Sequence, residues 1–365
     1  VGFLDLSSPE QDLDRMGVRI LSTGSFIGSE TIENPALFRR VRNFDRDRAK
    51  ETVRKKGNNV EGLGDEELFD LWVRQVCGVE RRGFFSRGQV SDPDGPAPLT
   101  EHMGYLAGKN AIETAAIDPR SIEHVIFSSY TPEQLMPNPA CMVAHYLGAR
   151  GASAFHMNTA CSSFLDGLGI AYLMIRSGEY SRILVISADL MSQNMDFGDV
   201  TTAILFGDGA SAAVLDRSPG EDTGGILSYA SMTDYNPEML NMDTGKPIRM
   251  SGGPLVQRNA VNAMHASLKA ALQKASLDFE DLSYLIPHQA NLRILQRLAD
   301  KVKVPYERTL QSVTFTGNVS GAAIGIGLDR AFKQKIDSIR FQKNDILGLT
   351  TVGGGYTFSG MIYRV

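Results

Sequence analysis

The sequence predicts a layered α/β/α/β/α fold made of two similar halves, on three observations. Short apolar runs alternate with stretches of helical period along most of the chain. The order of elements beyond residue 221 repeats the order before it, although no residue-level self-similarity is evident. Thirty-six glycines among 365 residues, with 42% apolar content, fit a compact α/β protein with many tight turns. Alternating strands and helices in two such halves are the pattern of stacked layers. The halves are 1–220 and 221–365.

Each element has its own signal. Val18 to Ser25 reads as a first strand and turn, and residues 99–116 as a helix. His124-Val125-Ile126-Phe127 is a strand, Ala140 to Leu147 a helix ended by Gly148, and Ala154 to Met157 a short buried strand. Beyond it Leu165, Leu168, Tyr172 and Ile175 recur at helical spacing up to Gly178. Ile183 to Ala188 is the near-continuous apolar run of a strand buried on both faces. Ala203 to Phe206 and Ser211 to Leu215 read as two more strands around Gly207-Asp208-Gly209. In the second half, a strand near Ile226 precedes a long helix from about Gln257 to Lys274. Tyr284-Leu285-Ile286 is a strand, Asn291 to Val302 a helix, and another helix follows Gly321. Ile346 to Thr350 and Phe358 to Arg364 close the fold as strands.

One segment interrupts this order. Residues 34–59 form a polar, helix-prone insertion in the first half. Between Arg39 and Lys56 it carries nine Arg or Lys against Asp45, Asp47 and Glu51. It reads either as a solvated helix face or as a docking surface for an anionic carrier.

The bulk properties exclude several classes. A net charge of −5 gives no reason to expect nucleic acid as a partner. No run approaches the roughly 18 apolar residues of a membrane span. Val1 to Glu10 lacks the basic start and apolar core of a secretory signal. Three irregularly spaced cysteines are neither a disulfide framework nor a zinc site, and a free thiol suits a reducing cytoplasm.

Three residues carry chemistry. Cys161 follows an apolar run and precedes a helical pattern, so its thiol falls at a helix N-terminus, where unpaired N–H groups and the dipole favour thiolate. A thiolate attacks a thioester and holds the acyl group, splitting a transfer into two easier steps. Cys77 and Cys141 lie inside helical patterns and read as structural. His288 lies in a loop between strand and helix, where its imidazole can donate to a thioester oxygen as charge develops. The other five histidines, at 102, 124, 145, 156 and 265, have no such setting. Asn318 occupies a glycine-bounded turn, and its amide is a neutral donor at any pH. Gly353-Gly354-Gly355 lets backbone approach a substrate, so the Gly354 N–H can form an oxyanion hole with that of Cys161.

Thr159-Ala160-Cys161, Phe206-Gly207-Asp208-Gly209-Ala210, Pro287-His288-Gln289-Ala290-Asn291, Gly317-Asn318-Val319-Ser320 and Gly353-Gly354-Gly355-Tyr356-Thr357 together resemble the ketoacyl-acyl-carrier-protein synthase III group of the thiolase superfamily. The resemblance runs from about Val18 to Val365, broken mainly by the insertion. It implies a homodimer of thiolase-fold subunits and a Cys161–His288–Asn318 triad. It also implies decarboxylative Claisen condensation of a Cys161-bound acyl group with a malonyl thioester, in fatty acid or polyketide biosynthesis. Coenzyme A and phosphopantetheine thioesters are then substrates, an acyl carrier protein is a partner, and no cofactor is expected. By the same resemblance Trp72 stacks the coenzyme A adenine and Asn291 faces the pantetheine. Arg258 and Arg293 face the acidic carrier, and Met136 from the partner subunit ends the acyl pocket. Val200, Val76 and Cys77 stand where relatives carry polar neighbours of the adenine, which weakens coenzyme A as the acyl donor.

Alternatives stay open at this level. A reversible thiolase would need a second cysteine late in the chain, and none follows Cys161. Non-decarboxylative condensation would need a carboxylate base, for which Glu133 is the candidate. Acyl transfer to an alcohol or amine, and a non-catalytic subunit of a heterodimer, complete the set.

Overall fold

A computed structural model describes residues 16–89, 92, 94–219, 224–236, 240–250 and 253–365. Val1 to Glu10 and the proposed boundary at 220/221 lie outside the described residues. In the first half β1 (Met16–Ile27) leads to β2 (Glu30–Glu33), α1 (Asn34–Phe38), α2 (Arg46–Lys55), α3 (Asp65–Val76) and β3 (Arg81–Phe84). Then come α4 (Leu99–Ala115), β4 (His124–Ser128), α5 (Pro139–Tyr146), β5 (Ser153–Met157) and α6 (Ser163–Arg176). β6 (Arg182–Asp189), α7 (Val200–Ala203) and β7 (Gly209–Pro219) follow. The second half runs β8 (Gly225–Thr233), β9 (Leu240–Asn241), β10 (Arg249–Met250), α8 (Gly253–Lys274), β11 (Tyr284–Pro287) and α9 (Leu292–Val302). It ends with α10 (Val313–Thr316), α11 (Ala323–Phe332), β12 (Ile346–Val352) and β13 (Thr357–Arg364).

The two halves build two sheets of one plan. The first has the order β1-β7-β6-β4-β5 and the second β11-β12-β13-β8. β4 pairs with β6 in parallel as β11 does with β12, and the next two pairings outward are antiparallel in both sheets. The counterpart of edge strand β5 has shrunk to a single parallel bridge, Leu285 to Thr309.

Helices α6 and α11 lie between the sheets. Phe164, Leu165, Leu168 and Ile175 of α6 and Ile324 and Leu328 of α11 join side chains from both sheets in one buried core. Burying each large side chain contributes about 2 kcal/mol. That outweighs the cap that both helices lack at their N-termini, which is worth about 1 kcal/mol. Helices α4 and α5 cover the outer face of the first sheet, and α8 and α9 that of the second. The result is the five-layered arrangement the sequence implied.

Four local expectations are corrected. Ala203 to Phe206 is not a strand: Asp199 caps the short α7, accepting from the Thr201 N–H at 3.0 Å, and Phe206 makes only one bridge, to Asn318. A short buried apolar run satisfies strand and helix equally by pattern, and the cap decides. The first strand does not turn at Gly24-Ser25; β1 pairs with β7 through Ile27. Gly24 is there because a Cβ would strike the Ala107 carbonyl of α4. β5 is an edge strand whose apolar side chains are half-buried, not a buried one. Cys77 is the C-cap residue of α3 rather than an interior position.

The insertion resolves into α1 and α2. Asp45 caps α2 by accepting from the Arg48 N–H at 3.0 Å. Ala49 and Val53 pack against Leu68 and Trp72 of α3. Its charges are partly neutralised on the surface, by Lys55 with Glu51 at 2.7 Å, Arg39 with Glu66 at 3.1 Å, and Arg46 with Asp65.

Candidate active site

Cys161 sits in a tight 3-10 turn between β5 and α6 and is 4% exposed. Ala160 just before it takes a φ of 50°. The side chain of Asn158 steadies that left-handed residue by accepting from its N–H at 3.0 Å. The backbone N–H groups of Gly354 and of Cys161 itself reach the sulfur. They are the two groups named for an oxyanion hole. Gly353 permits this approach, since a Cβ there would lie 2.7 Å from the Thr159 carbonyl and 3.0 Å from the Cys161 nitrogen.

Asn318 stands in the matching turn of the second half. Its Oδ1 accepts from the Ser320 N–H at 2.9 Å, and its own N–H donates to the Leu205 carbonyl at 2.8 Å. With Oδ1 taken, the amide NH₂ is the group left to face the cavity. His288 follows β11, and its backbone N–H donates to the Thr350 carbonyl at 2.8 Å. Burial pushes its imidazole down to about 4, so it is neutral at pH 7. Its Nδ1 is buried without a hydrogen-bond partner among the described residues.

Cys161, His288 and Asn318 line one cavity of about 480 Å³. Trp72, Val76, Val200 and Asn291 line it too, so most of the residues predicted for substrate binding converge there. Trp72 on α3 is half-buried, with its ring 5.8 Å from that of Phe44. Asn291 caps α9, accepting from the Arg293 N–H at 2.9 Å. Cys77 lies behind this wall, its thiol donating to the Val73 carbonyl at 3.2 Å.

A second cavity, of about 890 Å³, reaches Cys161 from the side of Thr159, Gly354 and Gly355. Cys161 therefore stands where two chambers meet. Met136 lines neither chamber of its own chain; it is 87% exposed, beside Leu135 at 82%. Glu133 borders the second chamber, but its carboxylate accepts from the Leu99 N–H at 2.8 Å and from Arg87 at 3.1 Å. Arg258 is exposed on α8 and shares a shallow surface groove with Arg297. Arg293 is half-buried, its Nε donating to the Val76 carbonyl at 3.3 Å.

Burial opposes the thiolate that the helix N-terminus favours. Burial pushes the Cys161 thiol up to about 11, ahead of the lowering by the Ser320 hydroxyl and the Gly354 and Cys161 N–H groups. Desolvation of the buried sulfur outweighs the short turn's N–H groups, which favours the thiol.

Sequence reasoning missed two groups of residues. One is the insertion's own contribution: Phe44, Arg48 and Thr52 form one wall of the first cavity, and Arg48 is the one cation lining it among the described residues. The period of α2 carried that signal, because 45, 48, 49 and 52 share one face. The other is a polar cluster behind the nucleophile, containing Asp189, Tyr130 and Ser320. Asp208 of the Phe206 to Ala210 motif has a role in shaping the fold. Its carboxylate accepts from the Phe85 N–H at 2.9 Å and from the Ser192 N–H and hydroxyl at 2.7 and 2.6 Å.

Comparison with known proteins shows the family. Residues 155–235 match the family model for 3-oxoacyl-[acyl-carrier-protein] synthase III, and residues 272–365 match the model of its C-terminal part. The chain is 31% identical over 350 residues to beta-ketoacyl-[acyl-carrier-protein] synthase III of Aquifex aeolicus, covering 96% of this chain and 100% of the relative. It is 33% identical over 313 residues to that of Roseiflexus sp. strain RS-1, covering 82% and 91%. The crystal structure of the Aquifex aeolicus synthase superposes with a TM-score of 0.81 at 30% identity, covering 96% of this chain and 100% of that one. The priming β-ketosynthase of the R1128 polyketide pathway gives 0.79 at 26% identity, covering 96% and 97%. The chain belongs to the beta-ketoacyl-[acyl-carrier-protein] synthase III family of thiolase-fold enzymes.

Proposed function

We propose that the protein is an acyltransferase that condenses a Cys161-bound acyl group with a malonyl thioester, with loss of CO₂, in fatty acid or polyketide biosynthesis. The observation that carries this is the meeting of one nucleophile and two neutral donors in a single cavity. In the first step the Cys161 sulfur attacks an acyl thioester. The thiol proton passes to the neutral His288 imidazole, which returns it to the departing sulfur, so the carrier leaves as a thiol and His288 is neutral again. The acyl oxygen is held by the N–H groups of Cys161 and Gly354. In the second step the carboxylate–carbon bond of the malonyl thioester breaks and CO₂ departs. Its electron pair forms an enolate whose oxygen accepts from His288 and the Asn318 amide. That carbanion attacks the acyl carbon, the Cys161–acyl bond breaks with its electrons on sulfur, and the released thiolate takes one proton from solvent. Decarboxylation supplies the carbanion, so no carboxylate base is required. Glu133, with both oxygens engaged, favours this over a proton-abstracting condensation.

The substrates are thioesters of coenzyme A or of a carrier protein's phosphopantetheine; malonyl carrier protein is the extender. The relatives named above are synthases acting with acyl carrier protein, which supports that partner. The pantetheine arm passes Trp72, Asn291 and Arg48, with Arg258 and Arg293 toward the acidic carrier. A second copy of the chain covers the half-exposed edge strand β5, and its Met136 ends the acyl chamber. No helix among the described residues is long and apolar enough to cross a membrane.

The test is product formation. With an acyl donor panel and malonyl carrier protein, the wild type yields a β-ketoacyl thioester and one CO₂ per product. An acyl adduct on Cys161 without CO₂ release would instead identify acyl transfer.

A further inference from the structure

One buried acid and one buried hydroxyl near the nucleophile have no part in the mechanism above. Ser320 is fully buried, and its Oγ donates to the Cys161 sulfur at 3.5 Å. It is held at a φ of 49°, a left-handed conformation that a serine adopts at a cost. Its neighbour Gly321 donates its N–H to Asp189 Oδ2 at 3.2 Å. Asp189 ends β6, is fully buried, and accepts at Oδ1 from the Ser129 hydroxyl at 3.1 Å and the Tyr130 N–H at 3.2 Å. A buried carboxylate with this many donors is costly to bury and fixes the segments that supply them. Those segments are the loop after β4 and the turn at 320–321, both packed against Cys161.

We propose that Ser320 is a catalytic residue whose hydroxyl steadies the Cys161 thiolate as it forms, and that Asp189 is the positioning residue that holds the Ser320–Gly321 turn against the sulfur. The proposal rests on Cys161 as the nucleophile. Ser320 makes and breaks no covalent bond; its hydrogen bond strengthens as the sulfur gains charge. The titratable groups around the sulfur are Asp189 and Tyr130 behind it and His288 across the cavity. The charge of Asp189 opposes the thiolate, so its net effect is favourable only through the turn it positions.

Alkylation of Cys161 tests this without any acyl donor, so it stays readable even if no thioester acylates the protein. Rates at Cys161 are followed by mass spectrometry with iodoacetamide and with the bulkier N-ethylmaleimide, with exposed Cys141 as the reference thiol. Ser320→Ala and Ser320→Gly should each slow Cys161 alkylation about tenfold, by the same factor for both reagents. Ser320→Gly should do so with an unchanged or raised Tm, because glycine suits the left-handed backbone. Asp189→Asn should also slow alkylation. Wild-type rates in both Ser320 variants would overturn the proposal. So would slowing in the alanine variant alone, which would signal backbone strain, or slowing that grows with reagent size, which would signal access. Faster alkylation in Asp189→Asn would overturn the positioning role and leave only its charge.

Discussion

The turn at 158–161 and the turn at 318–321 are one backbone device used twice, once in each half. Both begin with an asparagine whose Oδ1 accepts from the N–H two residues on, at 3.0 Å and 2.9 Å. Both place that second residue at positive φ, 50° for Ala160 and 49° for Ser320. Both run through a 3-10 turn into a central helix, α6 or α11. The fourth position differs. The first turn presents a cysteine and the second a glycine, because a Cβ on Gly321 would lie 2.7 Å from Ser187 Oγ and 3.0 Å from the Ala160 carbonyl. The asparagines differ too: Asn158 is exposed beside the second chamber, while Asn318 is buried in the first. The two halves thus present two equivalent helix entrances facing each other; in the proposed mechanism one holds the acyl group and the other the extender.

Removing the residue unique to the first turn has the largest expected effect. Cys161→Ala should lower condensation by about 10³-fold or more, with no acyl mass on the protein; a turnover assay with intact-protein mass spectrometry checks both. Placing a side chain on the second turn should break the packing between them. Gly321→Ala is expected to cost about 2 kcal/mol of stability by overpacking against Ser187 and Ala160, read from the denaturant midpoint. A variant as stable as wild type would show that the turns do not press on each other.

The next effect is electrostatic. His288 is lowered from 6.5 to about 4 in the folded protein. Between those values the unfolded chain binds the extra proton, so the group's stability contribution is present above pH 6.5 and is lost as pH falls toward 4. The full window is worth about 3 kcal/mol. Asp189, raised from 3.8 to about 7, runs the other way and loses stability as pH rises. The difference between wild type and His288→Asn isolates the histidine. His288→Asn should lose less stability than wild type on going from pH 7 to pH 4, measured by denaturant titration. The smallest effect lies on the insertion: Arg48→Glu should raise KM for phosphate-bearing donors a few-fold without changing kcat.

Much of this was legible in the sequence, for physical reasons. The apolar run Ile183 to Ala188 could only be a central strand, and Cys161, His288 and Asn318 each stood at a strand or turn boundary. Five-layer stacking followed from element order. What the sequence hid depends on distance in space. Ala203 to Phe206 reads as strand or helix until Asp199 is seen to cap it. The protonation state of Cys161 depends on burial, which local pattern does not reveal. Arg48 and Thr52 looked like surface charge and polarity until α2 packed on α3 beside the cavity. Ser320 was visible only as part of a motif, because its partners, Cys161 and Asp189, are 159 and 131 residues away.

The division of labour between the two turns is tested most directly by separating the two half-reactions in Asn318→Ala. The variant is given an acyl thioester, its mass is measured, and malonyl carrier protein is then added while CO₂ is followed. The account predicts an acyl adduct on Cys161 at close to the wild-type rate, with CO₂ release and condensation lowered by about 10²- to 10³-fold. A variant that fails to acylate, or one that acylates and still releases CO₂ at the wild-type rate, would contradict it.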